Sequence, residues 1–227
     1  MRVLSIETST RSGSVAIIDG DMILGEIFLN VGPSHSEKLL PMVDWLLREV
    51  GMKRNHIEGI AVSSGPGSFT SLRVGMSTAR GMAFSLGIPI VGVSSLEVLS
   101  RNLLYTPYAV CTMTDARRKQ VYAAFFRCTG DEPIRLKDDC LIDPVKLMEM
   151  ISEATLFVGN GAVLYRDLIK KSVGDLAMFC TSSFNFPKAF HCAQAAINKM
   201  NSAREGEISQ FSPQYLSKSD AEISKER

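Results

Sequence analysis

Two short polar turns carry the side chains of this 227-residue chain best suited to acid–base or metal-assisted chemistry. The first is Glu7-Thr8-Ser9, which closes an apolar run beginning at Val3. The second is marked by Asp115, which closes the run beginning at Val110. A carboxylate at a strand end can hold Mg²⁺ or orient an attacking hydroxyl, and phosphoryl transfer uses such acids most directly. Asp19 and Asp21 are the other acids nearby in sequence. The turns themselves argue against a phosphate clamp. Gly13 is the single glycine of the first, the second has none, and Arg117, Arg118 and Lys119 make the second bulky. Gly159-Asn160-Gly161 could admit an adenosine, and it is equally a good turn.

Other chemistries find less. His35, His56 and His191 are the only histidines, none within helical reach of another, so a conventional metal-centred site is not expected. They read as surface or capping residues. Serines abound, but no Gly-x-Ser-x-Gly elbow is present. Cys111, Cys128, Cys140, Cys180 and Cys192 are widely spaced, odd in number and set mostly in apolar strand contexts, the pattern of reduced, inert core thiols. The run Ser64-Gly65-Pro66-Gly67-Ser68-Phe69-Thr70-Ser71-Leu72-Arg73-Val74-Gly75 joins a strand-like segment, Ile57 to Val62, to a helical one reaching Leu86. Such a junction aims free N–H groups outward, where an anion or a neighbouring backbone can approach. Glycine also serves any turn needing positive φ, so the loop alone does not choose between them.

The elements that position these residues recur. Val3 to Ile18 reads as strand, polar turn, strand. Val110 to Asp115, Ala116 to Gln120 and Val121 to Phe126 repeat that order, with Thr8 opposite Asp115 and Arg11 opposite Arg118. A helical segment and a later strand follow each hairpin: Glu58 to Ser64 in the first half, Thr155 to Gly159 in the second. The boundary falls at Arg101 to Pro107, which divides the chain into lobes 1–103 and 104–227. Within the helix expected over Ser36 to Val50, the residues Leu39, Leu40, Val43, Leu46, Leu47 and Val50 form one stripe. Trp45 lies nearly opposite that stripe with Met42 on its flank. Trp45 either rests on a neighbouring loop or marks a second partner. The helix over Thr70 to Leu86 turns Leu72, Met76, Ala79, Ala83 and Leu86 one way and Val74, Ser77, Thr78, Gly81 and Ser85 the other. Glycine in mid-helix costs roughly 1 kcal/mol against alanine, so Gly75 and Gly81 need a reason; close packing, within the lobe or between subunits, is the simplest. Arg73 and Arg80 read as solvated charges.

Hydrophobic content of 45% and charged content of 22% are those of a soluble globular protein, and net charge +1 advertises neither nucleic acid nor membrane. No basic, apolar leader and no membrane-length apolar stretch stands in the sequence, so a cytoplasmic location is expected.

The N-terminal hairpin and the Gly-Pro-Gly-Ser-Phe-Thr-Ser-Leu-Arg loop together resemble the TsaB family, also called YeaZ, whose pattern has glycine where this chain has Ser71. The resemblance continues through Asp115-Ala116-Arg117-Arg118-Lys119-Gln120-Val121-Tyr122 and thins beyond residue 125 to Val158-Gly159-Asn160-Gly161 and Pro213-Gln214-Tyr215-Leu216. It implies an α/β fold of the actin-like ATPase (ASKHA) superfamily. Such a fold has two lobes, each a mixed sheet flanked by helices, built by duplicating an RNase H-like unit. It implies a non-catalytic partner of the enzyme TsaD in forming threonylcarbamoyladenosine at position 37 of ANN-decoding tRNAs. A TsaE-like ATPase assists, ATP and metal are used by the partner complex, and the chain pairs with itself when alone. Contact with tRNA is at most indirect. TsaD carries a His-x-x-x-His metal motif where this chain has Ser95 and Leu99, so no catalytic or metal site is expected here. The weak cofactor candidates are Glu7, Thr8, Ser9 and Asp115; the expected partner surface is Met42, Trp45, Val74, Ser77, Thr78, Gly81 and Ser85. The competing readings are an actin-like ATPase or kinase with its own site, a metallopeptidase-like protein, and a homodimer with a separate interaction role.

Overall fold

A computed structural model describes residues 1–30, 32, 35–202 and 216. Pro213, Gln214 and Tyr215, part of the resemblance, lie outside the described residues. The described residues part into two compact units: Met1–Val98 together with residues 187–202, and Leu99–Phe186.

The first unit contains β1 (Arg2–Glu7), β2 (Gly13–Asp19), β3 (Met22–Leu29), α1 (His35–Glu49), β4 (Gly59–Gly65), α2 (Phe69–Leu86) and β5 (Ile90–Ser94). A short helix, α3 (Ser95–Ser100), leads into the second unit. There follow β6 (Ala109–Asp115), β7 (Val121–Arg127), β8 (Ile134–Ile142), α4 (Pro144–Met148), β9 (Thr155–Val158), α5 (Asn160–Leu164), α6 (Arg166–Val173) and β10 (Ala177–Phe179). Helix α7 (Ala189–Ser202) is the last element among the described residues.

The two sheets have the same plan. The first runs β3-β2-β1-β4-β5 and the second β8-β7-β6-β9-β10. In each, the opening strand is antiparallel to the next and parallel to the one after the crossover. The repeat read in the sequence is therefore a repeat of topology, with one correction of register. Both hairpin turns hold five residues, 8–12 and 116–120, so Glu7 rather than Thr8 is the counterpart of Asp115, and Arg11 that of Lys119. A one-residue slip matters because neighbouring strand residues face opposite sides of the sheet.

Alternation along β1 sends Leu4 and Ile6 to a core shared with α1 and α2, and Val3 to a core shared with α7. Thus α7, which falls in the stretch assigned to the second lobe by sequence, covers the open face of the first sheet. Its first amides are held there: Ala189 N–H donates to Ser14 Oγ at 2.7 Å and Phe190 N–H to a Glu26 carboxylate oxygen at 3.1 Å. Carboxylate at a helix N-terminus is favourable for both hydrogen bonding and the helix dipole.

Two inward-facing assignments on α1 change. Met42 is 8% exposed and lies in the core, whereas Leu40 is 56% exposed. The helix presents a stripe wider than six residues, and the packing of α2 beside it decides which edge is covered. Met42 therefore leaves the partner surface. Val74, on α2, is half-buried and packs on the same core.

The glycines of α2 separate into two kinds. A Cβ on Gly75 would strike the Thr8 hydroxyl, and one on Gly67, in the preceding loop, would strike the Ser9 carbonyl oxygen. A Cβ on Gly81 would meet nothing within 4 Å among the described residues. Gly67→Ala should therefore destabilise the chain by about 1–3 kcal/mol, the usual penalty of overpacking against backbone. Gly81→Ala should stabilise it by roughly 0.5–1 kcal/mol through helix propensity. Urea unfolding of the two variants beside the natural chain checks both signs.

Candidate functional site

The Gly-Pro-Gly loop is a seat for backbone. Ser9 carbonyl oxygen lies over Gly67 and accepts the Ser68 N–H at 2.8 Å, taking one of the donors at the start of α2. Thr8 Oγ1 donates to the Ser71 carbonyl at 2.9 Å, over Gly75. Ser95 Oγ donates to the Pro66 carbonyl from the far side. The place an anion would take is filled by the chain's own first turn. Of the two occupants the sequence allowed, the neighbouring backbone is the one present. Ser95, at one ligand position of the TsaD metal motif, thus ties down this loop. Leu99, at the other, is buried against Gly159.

The same turn is closed from its other side by His35, which opens α1. Its Nε2 is 2.9 Å from the Thr10 carbonyl, and its ring packs where a Cβ on Gly13 would stand. His35 is a buried positioning residue rather than a surface one. His56 does cap, with Nδ1 accepting the Lys53 N–H at 3.3 Å, and His191 lies 3.1 Å from Gln194 Oε1.

Glu7 is fully buried. One carboxylate oxygen accepts the Ser9 N–H at 2.6 Å and the other has no hydrogen-bond partner. Burial pushes this carboxyl above the usual carboxylate range. The hydroxyls of Ser9 and Ser63 pull the other way, although neither closes a hydrogen bond of normal geometry. Such a group is sealed from solvent and does not present a carboxylate to a substrate.

In the second unit the corresponding turn is built differently. Asp115 N–H donates to Asn160 Oδ1 at 3.0 Å, and Asp115 Oδ1 accepts the Arg117 N–H at 2.9 Å, so this carboxylate serves its own turn. Arg117, Arg118 and Lys119 all take positive φ, 62°, 50° and 59°, a run of left-handed non-glycine residues that residue types alone did not announce. Gly159 and Gly161 lie against the Met113 backbone, as Gly67 lies against Ser9. Gly-Asn-Gly is thus another close-approach device. Among the described residues, no three His, Cys, Asp or Glu side chains are placed to hold a metal ion together.

The outer surface of α1 and α2 is the remaining candidate. Trp45 is 50% exposed; Ser77, Gly81 and Ser85 are exposed, and Thr78 is half-buried. Phe84, on the same side of α2 as Gly81 and Ser85, is 92% exposed. Sequence reasoning passed over Phe84, although its position three residues after Gly81 places it on the outward side.

The family model described as TsaD, tRNA N6-adenosine threonylcarbamoyltransferase, matches residues 29–225. The chain is 28% identical to the tRNA threonylcarbamoyladenosine biosynthesis protein TsaB of Bacillus subtilis, over 98% of this chain and 96% of that one. It is 31% identical to the protein of that name in Escherichia coli, over 76% of this chain and 77% of the other. Among solved structures it superposes on a Pseudomonas aeruginosa protein described as uncharacterized with similarity to peptidase YEAZ. That match has a TM-score of 0.79 and 25% identity, covering 95% of this chain and 99% of that one. A ROK hexokinase from Thermus thermophilus, at TM-score 0.52 and 10% identity over 89% of this chain and 100% of its own, shares the fold alone. The fold is the two-unit, actin-like one that the resemblance implied.

All five cysteines are free thiols, and burial raises each of them, Cys128 to about 11 and Cys192 to about 12. Cys111, Cys128 and Cys192 are buried, Cys140 and Cys180 half-buried. At pH 8, Ellman's reagent should therefore label at most two thiols of the native chain and all five in guanidinium. Rapid labelling of a third would mean that one buried thiol is activated.

Proposed function

We infer the role of this chain from its family: it belongs to the TsaB (YeaZ) family of tRNA threonylcarbamoyladenosine biosynthesis proteins. We propose that it acts there without a catalytic centre of its own, as the partner of a TsaD-like subunit that modifies position 37 of ANN-decoding tRNAs. A TsaE-like ATPase completes the machinery, and ATP and metal belong to those partners. Net charge +1 makes this chain a poor holder of phosphate, so tRNA is contacted mainly by the partners. The chain works in the cytoplasm; no helix among the described residues is long and apolar enough to cross a membrane.

Gly81 is the observation that carries this reading. It sits in mid-helix at a cost in stability, and nothing among the described residues needs the missing Cβ. Around it lie Ser77 and Ser85, small enough for another helix to approach, and the exposed ring of Phe84. Trp45 on α1 supplies a second aromatic anchor of the kind that dominates interface energetics. Two helices from each of two related subunits suit a four-helix contact, and without TsaD the same face can pair with a second copy about a two-fold axis. Phosphoryl transfer is disfavoured because Ser9 fills the loop that would cradle the anion and Glu7 is sealed.

Gly81→Glu should bury an unpaired charge and weaken association with the TsaD-like subunit by about 3 kcal/mol or more. Trp45→Ala and Phe84→Ala should each cost about 1–3 kcal/mol if they anchor the contact. Heterodimer affinity by titration calorimetry, homodimer dissociation by ultracentrifugation and circular dichroism for folding make the test. Unchanged affinity in folded Gly81→Glu protein would place the interface elsewhere.

A further inference from the structure

Helices α1 and α2 run in the same direction. Strand β3 is antiparallel to β2 and β2 to β1, while β1, β4 and β5 are parallel, so β3, β4 and β5 all point one way. Helix α1 carries the chain from β3 to β4 and α2 from β4 to β5, so each runs back against the strands. Both bury their inner sides in one core and lie on one side of the sheet as a parallel pair.

Their outer sides differ in charge. On α1, Glu37 and Asp44 are exposed one heptad apart, a spacing that returns a helix position to within about 20°. On α2, Arg73 and Arg80 are exposed at that same spacing, and this helix contains no Asp or Glu. All but Glu37 are seen to be engaged within the chain. Asp44 meets Arg48 at 3.3 Å and Arg54 at 3.7 Å, Arg73 lies over the Phe69 ring at 3.9 Å, and Arg80 has contacts of its own. Exposed contacts of this kind are weak and readily shared with a second partner.

If this face meets a second copy, two-fold symmetry allows two arrangements of the helix pairs. An axis lying across the helices reverses their direction and sets α2 on α2, which brings four arginines together and no carboxylate from either helix. An axis along the helices keeps their direction and sets α1 on α2 and α2 on α1. Parallel helices rise equally per residue, so one alignment then puts Glu37 level with Arg73 and Asp44 level with Arg80. The same alignment puts Trp45 level with Gly81, a ring beside a missing Cβ, and Arg48 level with the exposed ring of Phe84. Symmetry makes every such pair twice.

We propose that Glu37 and Asp44 of one copy pair with Arg73 and Arg80 of the other, so that charge fixes self-association of this chain as a parallel contact of α1 on α2. This pairing rests on the reading that the α1–α2 face is the one that associates. It adds which residues set the orientation and register of the contact.

The test uses two variants of the full chain, Glu37→Lys/Asp44→Lys and Arg73→Glu/Arg80→Glu, with folding checked by circular dichroism and self-association followed by ultracentrifugation. Each alone should self-associate at least about tenfold more weakly than the natural chain, because like charges then face each other in both contacts. An equimolar mixture should recover the natural affinity to within about threefold, since each variant supplies the charge the other lacks. A second measurement needs no variant: raising sodium chloride from about 0.05 to 0.5 M should weaken the natural pair, whereas a contact of α2 on α2 would be strengthened. Natural affinity in either variant alone, a mixture no tighter than its components, strengthening by salt, or a natural chain that stays monomeric would each overturn the pairing. Gly81→Glu separates this from failure of the face itself. Weak self-association of Gly81→Glu beside unaffected charge variants would keep the face and remove the charge pairing, and undiminished association of all three would remove both.

Discussion

The close approach of one backbone to another at Gly67 is the constraint on which the first unit depends. Ser9 presents its carbonyl to the first amide before α2, and Thr8 places its hydroxyl on the Ser71 carbonyl. Both contacts need a missing Cβ, at Gly67 and at Gly75. Once they are made, the direction of α2 over the sheet is set, and so is the side of it that looks outward. The turn is in turn held by His35 from α1. Turn, loop and two helices thus form one unit of packing, and the loop's amide at Ser68 is taken by the chain's own Ser9 carbonyl.

The second unit meets the same problem at the same topological point. Gly159 and Gly161 let the loop after β9 approach the Met113 backbone, and Asn160 fastens the end of β6. What differs is the turn. Where the first unit closes its hairpin with buried hydroxyls and a buried acid, the second uses three basic residues in left-handed conformation, braced by Asp115. The two units share the close contacts between strand end and loop and the same sheet order, and differ in their turn residues.

Two surfaces of the first unit then take different roles. The face of the sheet under α7 is closed, with the helix held at its N-terminus by Ser14 and Glu26. The outer side of α2 stays open, with an exposed ring at Phe84 and a mid-helix glycine at Gly81 that meets none of the described side chains.

Much of this was legible in the residues. Strand–turn–strand repeats, the two long helices to within a residue at their starts and ends, and the close packing expected at Gly75 follow from local periodicity and from the steric freedom of glycine, which act over a few residues. The family resemblance rested on the same short stretches. Tertiary structure decided the rest. Whether Met42 or Leu40 is covered depends on where α2 lies beside α1. Which sheet α7 closes depends on the apolar face left open by β1 and β4. His35 is buried because a turn twenty-five residues earlier in the chain offers the Thr10 carbonyl. The register of the repeat turned on five-residue loops whose ends the residue types did not mark. In each case the outcome belongs to a contact between segments far apart in sequence, and no single segment holds the information about which of its faces another will cover.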